Sequence, residues 1–166
     1  MNVEIRDVPN KGKGIFALYD FNKGELVLNI TGEVIETEDP QSYPEEIREH
    51  WGPLGRDGKK YRFITPESPW MYMNHSCDSN VGIIDDRKLV AARDIKKGEE
   101  ILIDYSALDI ETITFGKKKL EMECKCGSKN CRHIITTYDL LDKQTQDKLK
   151  PFLNSYLRTK YLEKSN

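Results

Sequence analysis

Four cysteines stand in the chain, Cys77, Cys124, Cys126 and Cys131, and the last three are spaced C-x-C-x4-C in CKCGSKNC. Sulfurs two residues apart do not easily reach disulfide geometry with each other. Gly127, Ser128 and Asn130 supply the tight turn that folds three sulfurs round one point. Three thiolates and a fourth ligand make a closed tetrahedral zinc site, the type that holds structure rather than catalysing. The fourth ligand is Cys77, the one cysteine left, with His75 and His133 as substitutes. Such a site would staple residue 77 to the C-terminal part of the chain. Free buried thiols are the bland alternative; the spacing favours the metal.

Around Cys77 runs MYMNHSCDSN. Asn74 and His75 alone fit an ordinary polar turn, and a lone His is more often structural than catalytic. Ser76 beside His75 is not a nucleophile arrangement, because a base must approach in space rather than along the chain. Acyl-transfer chemistry is therefore set aside.

The elements that must position these groups are short. Residues 3–5 (VEI), 14–19 (GIFALY) and 25–30 (ELVLNI) read as strands punctuated by glycines. The segment Glu33–Glu49 carries seven acids and one base and ends in PEEIREHW, a short helix. LGRDGKKYRFI reads as a turn and then a strand. VGII and KLVAA around Asp85-Asp86 read as a hairpin, and KKGEEILIDY as a turn and strand. Beyond Cys131, Leu140, Leu141, Leu149, Phe152, Leu153, Tyr156 and Leu157 fall at helical spacing, with Pro151 breaking the run. The fold class is mainly β with some α, and the best boundary lies near residue 116.

Three signatures now occur in order: KGKGIFA (Lys11–Ala17), NHSCDSN (Asn74–Asn80) and GEEILIDY (Gly98–Tyr105). They resemble the opening glycine turn, the NHSCxPN motif and the GEELxxDY motif of SET-domain protein-lysine methyltransferases. CKCGSKNCR resembles the post-SET zinc segment of that family, and the whole resembles a minimal version without a cysteine-rich pre-SET region. The resemblance implies a SET domain over 1–115, a post-SET zinc segment over 116–135 and a C-terminal helical extension over 136–166. It implies small curled sheets in which the NHSC segment passes beneath the GEELxxDY segment as a pseudoknot. The implied methyl donor is S-adenosylmethionine, held by Lys11, Gly12, Lys13 and Gly14 of the turn, by Asn74 and His75, and by Tyr105, with Tyr61 helping from the middle segment. Tyr105 matches the catalytic tyrosine. Cys77, Cys124, Cys126 and Cys131 match the structural zinc ligands. Two departures stand out: Ser79 replaces the usual Pro, and Ile103 replaces the usual Phe or Tyr two places before Tyr105. The helical tail has no named counterpart and reads as an amphipathic cover on the core, or as a partner or dimer surface.

Composition bounds the partners. Of 166 residues, 37% are hydrophobic and 33% charged, with eight Tyr, five Phe and two Trp, which is enough to build a core. No run of eighteen apolar residues exists, so no membrane partner is expected. The first residues hold no apolar signal core, so an intracellular setting is expected, nuclear or cytoplasmic. The net charge of -2 divides into -8 over residues 1–115 and +6 over 116–166. An acidic body suits a basic protein substrate presenting Lys, such as a histone, another chromatin protein or a ribosomal protein, better than DNA. A zinc-stapled binding module without catalysis would need neither Tyr105, nor Asn74, nor the KGKG turn. Nucleic-acid binding through Lys117, Lys118, Lys119, Lys125, Lys129 and Arg132 lacks interleaved aromatics and is not expected. The sequence leaves the oligomeric state unknown.

Overall fold

The computed structural model describes residues 2–48, 51–109 and 122–163. The 116 boundary and Lys117, Lys118 and Lys119 lie outside these residues. The glycine-punctuated N-terminus forms the antiparallel pair β1 (Val3–Val8) and β2 (Gly12–Ala17), in register from Val3 opposite Ala17 to Val8 opposite Gly12. β3 (Leu26–Asn29) pairs with β9 (Lys88–Ala91), which pairs with β8 (Val81–Ile84); the last two are the expected hairpin. Asp85 and Asp86 turn it with φ of 50° and 58°, a left-handed pair that short Asp side chains tolerate.

A third sheet has the order β4 (Gly32–Thr37), β6 (Lys60–Pro66), β5 (Gly52–Asp57). Two of its strands depart from the sequence reading. β4 lies inside the acidic segment, where Val34 and Ile35 are partly buried while Glu33 and Glu36 face solvent. β5 covers residues that read as a turn. Gly and Pro are tolerated there because β5 is an edge strand with a register shift between Pro53 and Gly55. The short helix is α1 (Glu45–Arg48).

The NHSC and GEELxxDY segments lie side by side. β7 (Asn74–His75) pairs in parallel with β10 (Leu102–Ile103). The Ser76 and Asn80 amides donate to the carbonyls of Ile103 and Leu102 at 2.9 and 3.0 Å. Asn80, 1% exposed, completes the lock: its Nδ2 donates to the Glu100 carbonyl and its Oδ1 accepts the Leu102 amide, both at 2.8 Å. A buried amide satisfied on both ends leaves one register. Ile15, Ile64, Leu89, Ile95, Ile101 and Ile103 fill the core between the sheets.

Beyond this body, β11 (Met122–Glu123) pairs with β12 (Ile134–Ile135). The tail folds as α2 (Lys143–Leu149), a 3-10 turn through Pro151, α3 (Ser155–Arg158) and a π-helical turn (Thr159–Glu163). Asp142 and Asn154 cap α2 and α3 by accepting the Thr145 and Leu157 amides. Leu141, Leu149, Leu153 and Leu157 bury against Tyr138 and Ala107, whereas Leu140 is 72% exposed. Phe152 lies on Gly82, where a Cβ would come within 2.1 Å of its ring, so Gly82 is the residue that admits it.

Candidate functional site

β10 leads directly into the 3-10 turn Tyr105–Ala107, which Asp104 caps by accepting the Ser106 amide at 3.0 Å. Tyr105 is thereby set at the end of the β7–β10 crossing. Its hydroxyl donates to the Met73 carbonyl at 3.1 Å. Its main-chain N–H donates to His75 Nδ1 at 3.1 Å. Burial pushes the Tyr105 phenol up from its ordinary range, so it stays a neutral hydroxyl.

Tyr105 borders an apolar cavity of about 270 Å³ lined by Trp51, Trp70, Met73, Ile103 and Leu108. Among the described lining residues Tyr105 alone carries a titratable side chain. Ile103, the last residue of β10, and Tyr105, the first of the 3-10 turn, share this wall. The two tryptophans are walls that the sequence reading missed. Trp51 stacks at 4.7 Å on buried Phe63, and Trp70 is fixed by donating its indole N–H to the Thr31 carbonyl at 3.2 Å. The available signal was composition: the chain's two Trp flank the middle segment, and Trp70 falls four residues before Asn74.

The glycine turn and β7 meet on the other side of this crossing. Asn74 Nδ2 donates to the Lys13 carbonyl at 3.0 Å and to Glu100 Oε1 at 2.8 Å. Gly12 has φ of 75° and open space where a Cβ would be, so main chain is exposed there for a ligand to approach. Lys11 Nζ reaches the Cys126 carbonyl at 3.5 Å, so the turn and the CKCGSKNC loop are neighbours. The structure thus brings Lys11, Gly12, Lys13, Gly14, Asn74, His75 and Tyr105 into one region. Tyr61 is placed apart from it: it stacks on Phe63 and lies under the Arg56 guanidinium, 4.3 Å from the ring centre.

The cysteines converge as well. His75, Cys77, Cys124 and Cys126 have ligand atoms within 4.8 Å of one another. Cys77 Sγ and Cys131 Sγ lie 3.6 and 3.7 Å from Cys124 Sγ. His133 is exposed and contributes main chain: its carbonyl accepts the Cys124 amide at 2.7 Å. Burial pushes the Cys77 and Cys124 thiols up. Burial also opposes ionisation of Cys126, but hydrogen bonds from Ser128 and its neighbours bring it down to about 5. Sulfurs crowded this closely are a donor set that a tetrahedral zinc ion fits. His75 is held neutral: burial, only partly opposed by Asp104, lowers its pKa to about 4. Because Nδ1 accepts the Tyr105 amide, the ring proton sits on Nε2, 3.5 Å from Cys77 Sγ. That nitrogen is a donor to sulfur and not a free ligand.

A further tie was not foreseen. Arg132, next after Cys131, forks onto Asp104 at 2.7 and 2.8 Å and onto Ser106 Oγ at 3.2 Å. Asp104 is 1% exposed. Arg132, which read as one of a solvated basic run, is thus spent inside the molecule.

Residues 12–106 match the family model described as SET domain. The chain is 29% identical over 165 residues to the Danio rerio protein named histone-lysine N-methyltransferase SUV39H1-A, covering 75% of this chain and 38% of that protein. It is 35% identical over 120 residues to histone-lysine N-methyltransferase set-1 of Caenorhabditis elegans, covering 62% and 50%. It is 31% identical over 148 residues to histone-lysine N-methyltransferase trr of Drosophila melanogaster, covering 79% and 6%. The chain spans half or less of the length of these relatives. With the glycine turn from Gly12 onward, the NHSC strand and the GEEILIDY strand inside a match over more than half of its length, the chain belongs to the SET-domain family.

Proposed function

We propose that the chain is an S-adenosylmethionine-dependent protein-lysine N-methyltransferase whose substrate is a basic protein, with histones the first candidates. The observation that carries the reading is the apolar cavity with a single hydroxyl at its wall, backed by the NHSC crossing. The relatives' names point the same way.

The turn Lys11, Gly12, Lys13 and Gly14, open at Gly12, would hold the donor together with Asn74 and His75; the donor supplies an electrophilic methyl group on a sulfonium. The chain's own residues prepare the nucleophile. Free Lys has a pKa of about 10.4 and is protonated at neutral pH. Trp51, Trp70, Ile103 and Leu108 exclude water from the aliphatic stem and disfavour the charged form. The Tyr105 hydroxyl already donates to Met73, so its oxygen is free to accept an amine N–H and orient the nitrogen lone pair. No lining carboxylate or imidazole takes the proton, among the described residues; it leaves to bulk water before transfer. Alignment supplies most of the rate.

Zinc, bound by Cys77, Cys124, Cys126 and Cys131 over a post-SET segment at 116–135, completes the reading as a structural ion. His75 Nε2–H donates to the Cys77 sulfur rather than ligating. Native mass spectrometry should find one zinc per chain, and Cys126→Ser should lose it.

The test is labelled-methyl transfer into histones and other basic proteins, with the modified Lys located by mass spectrometry. Tyr105→Phe should lower turnover at least ~10²-fold, the scale of losing one positioned hydrogen-bonding group, while affinity for the methyl donor changes far less. Turnover near the parent rate in that variant would remove Tyr105 from the mechanism.

A further inference from the structure

Glu100 stands beside Asn74 with a chemistry that the alignment of motifs does not account for. Its Oε1 accepts one Asn74 Nδ2 proton, and the Lys13 carbonyl accepts from the same nitrogen. Both amide protons are therefore used, and Asn74 Oδ1 has no donor among the described residues. Turning the amide over would set its oxygen against two acceptors, so the orientation is fixed. Glu100 is partly buried, and no described lysine or arginine pairs with it. The two lysines of the adjacent turn point elsewhere, Lys13 to Asp7 at 3.4 Å and Lys11 to the Cys126 carbonyl. Gly14 is the residue that admits the carboxylate: a Cβ there would lie 2.6 Å from Glu100 Oε1 and 3.2 Å from Asn74 Nδ2.

Two acceptors thus meet at the Asn74 amide nitrogen, the Lys13 carbonyl and the Glu100 carboxylate, and no cation among the described residues sits on the carboxylate. A primary ammonium group has three N–H donors and the opposite charge. We infer that Glu100 is a further residue of the donor site, its carboxylate recognising the ammonium group of the donor's amino-acid end while it holds the Asn74 amide in place. The inference rests on the donor-binding reading above.

Glu100→Gln tests it, because Gln keeps an acceptor for Asn74 and removes the charge. Calorimetry on the purified zinc-containing chain compares S-adenosylhomocysteine with its analogue lacking the amino group. The substitution should weaken S-adenosylhomocysteine about tenfold, the scale of one charge-assisted hydrogen bond, and the amino-free analogue less than about twofold. An equal loss for both ligands makes Glu100 a scaffold residue and overturns the inference, as does no loss for either. If the parent chain binds neither ligand, the donor reading itself falls first. Should Glu100→Gln not fold, Glu100→Asp retracts the charge by one methylene and is read by the same comparison.

Discussion

At the scale of single residues, the proposed activity makes Ile103 the side chain expected to set how far the reaction goes. It is 1% exposed and shares the cavity wall with Tyr105. A Tyr at this place in the family resembles the arrangement that stops at one methyl, by holding a water that blocks rotation of the methylated amine. Ile has no hydroxyl and is smaller than Phe. The parent chain should therefore reach di- or trimethyl-lysine, and Ile103→Tyr should shift the product toward monomethyl. Intact-mass analysis of a long reaction on a single-Lys peptide decides it; monomethyl product alone in both proteins sinks the idea. The cavity also sets a pH dependence. The reactive amine is the deprotonated form, and the one titratable group among the described lining residues, Tyr105, is pushed up by burial and stays neutral. Turnover at subsaturating substrate should then rise about tenfold per pH unit from pH 6.5 until the free lysine's pKa of about 10.4 is approached. A flat profile between pH 6.5 and 8.5 would contradict a nucleophile prepared by simple deprotonation.

At the scale of elements, residues 122–135 are tied to the body at Arg132 as well as at the cysteines. Arg132 pairs with Asp104, the cap of the turn that carries Tyr105. Removing the guanidinium leaves a buried carboxylate without compensation, at a cost of about 3–5 kcal/mol. Arg132→Ala should lower stability by that amount in denaturant titration and lower turnover with it. Arg132→Lys should recover only part, because an ammonium cannot fork onto both oxygens. An Arg132→Ala chain as stable as the parent would show that the pair is ornamental. This pair also marks where the sequence stops being readable. Cysteine spacing and the NHSC and GEEILIDY strings are local, so the clustering of the cysteines, the β7–β10 pairing and the 81–84/88–91 hairpin were legible. Arg132–Asp104 joins positions 28 apart, and nothing in either neighbourhood names the partner. The walls Trp51 and Trp70 were hidden for the same reason, since they reach the cavity only when β5 and β6 fold over it. β5 itself was masked by Gly52, Pro53 and Gly55, whose turn propensity is overridden by pairing to β6.

At the scale of the whole molecule, the charge asymmetry is partly internal. The basic C-terminal third lies on the acidic body: Arg132 on Asp104, Lys148 on Asp78 at 2.9 Å, and Ser155 donating to Asp86 at 2.6 and 2.8 Å. Lys148 and Asp78 are each 48% exposed, so their pair contributes at most about 1 kcal/mol. Apolar packing contributes more. Ala107, two residues past Tyr105, packs into the tail cluster with Leu149, Leu153 and Leu157, while Leu108 faces the cavity. The turn bearing Tyr105 is thus held from two sides, by Arg132 on Asp104 and by the tail on Ala107. Leu153 is 2% exposed, and Leu153→Ala should cost about 2–5 kcal/mol. Lys148→Ala should change stability by less than about 1 kcal/mol. Trp51 and Trp70 report on the cavity by fluorescence, and release of the proposed zinc would report on the cysteine cluster. If tail, cavity and zinc segment form one cooperative unit, the two signals should move to lower urea together in Leu153→Ala, and the activity of the folded fraction should fall with them. A chain ending at residue 136 that kept both the parent midpoint and the parent turnover would reduce the tail to a passenger.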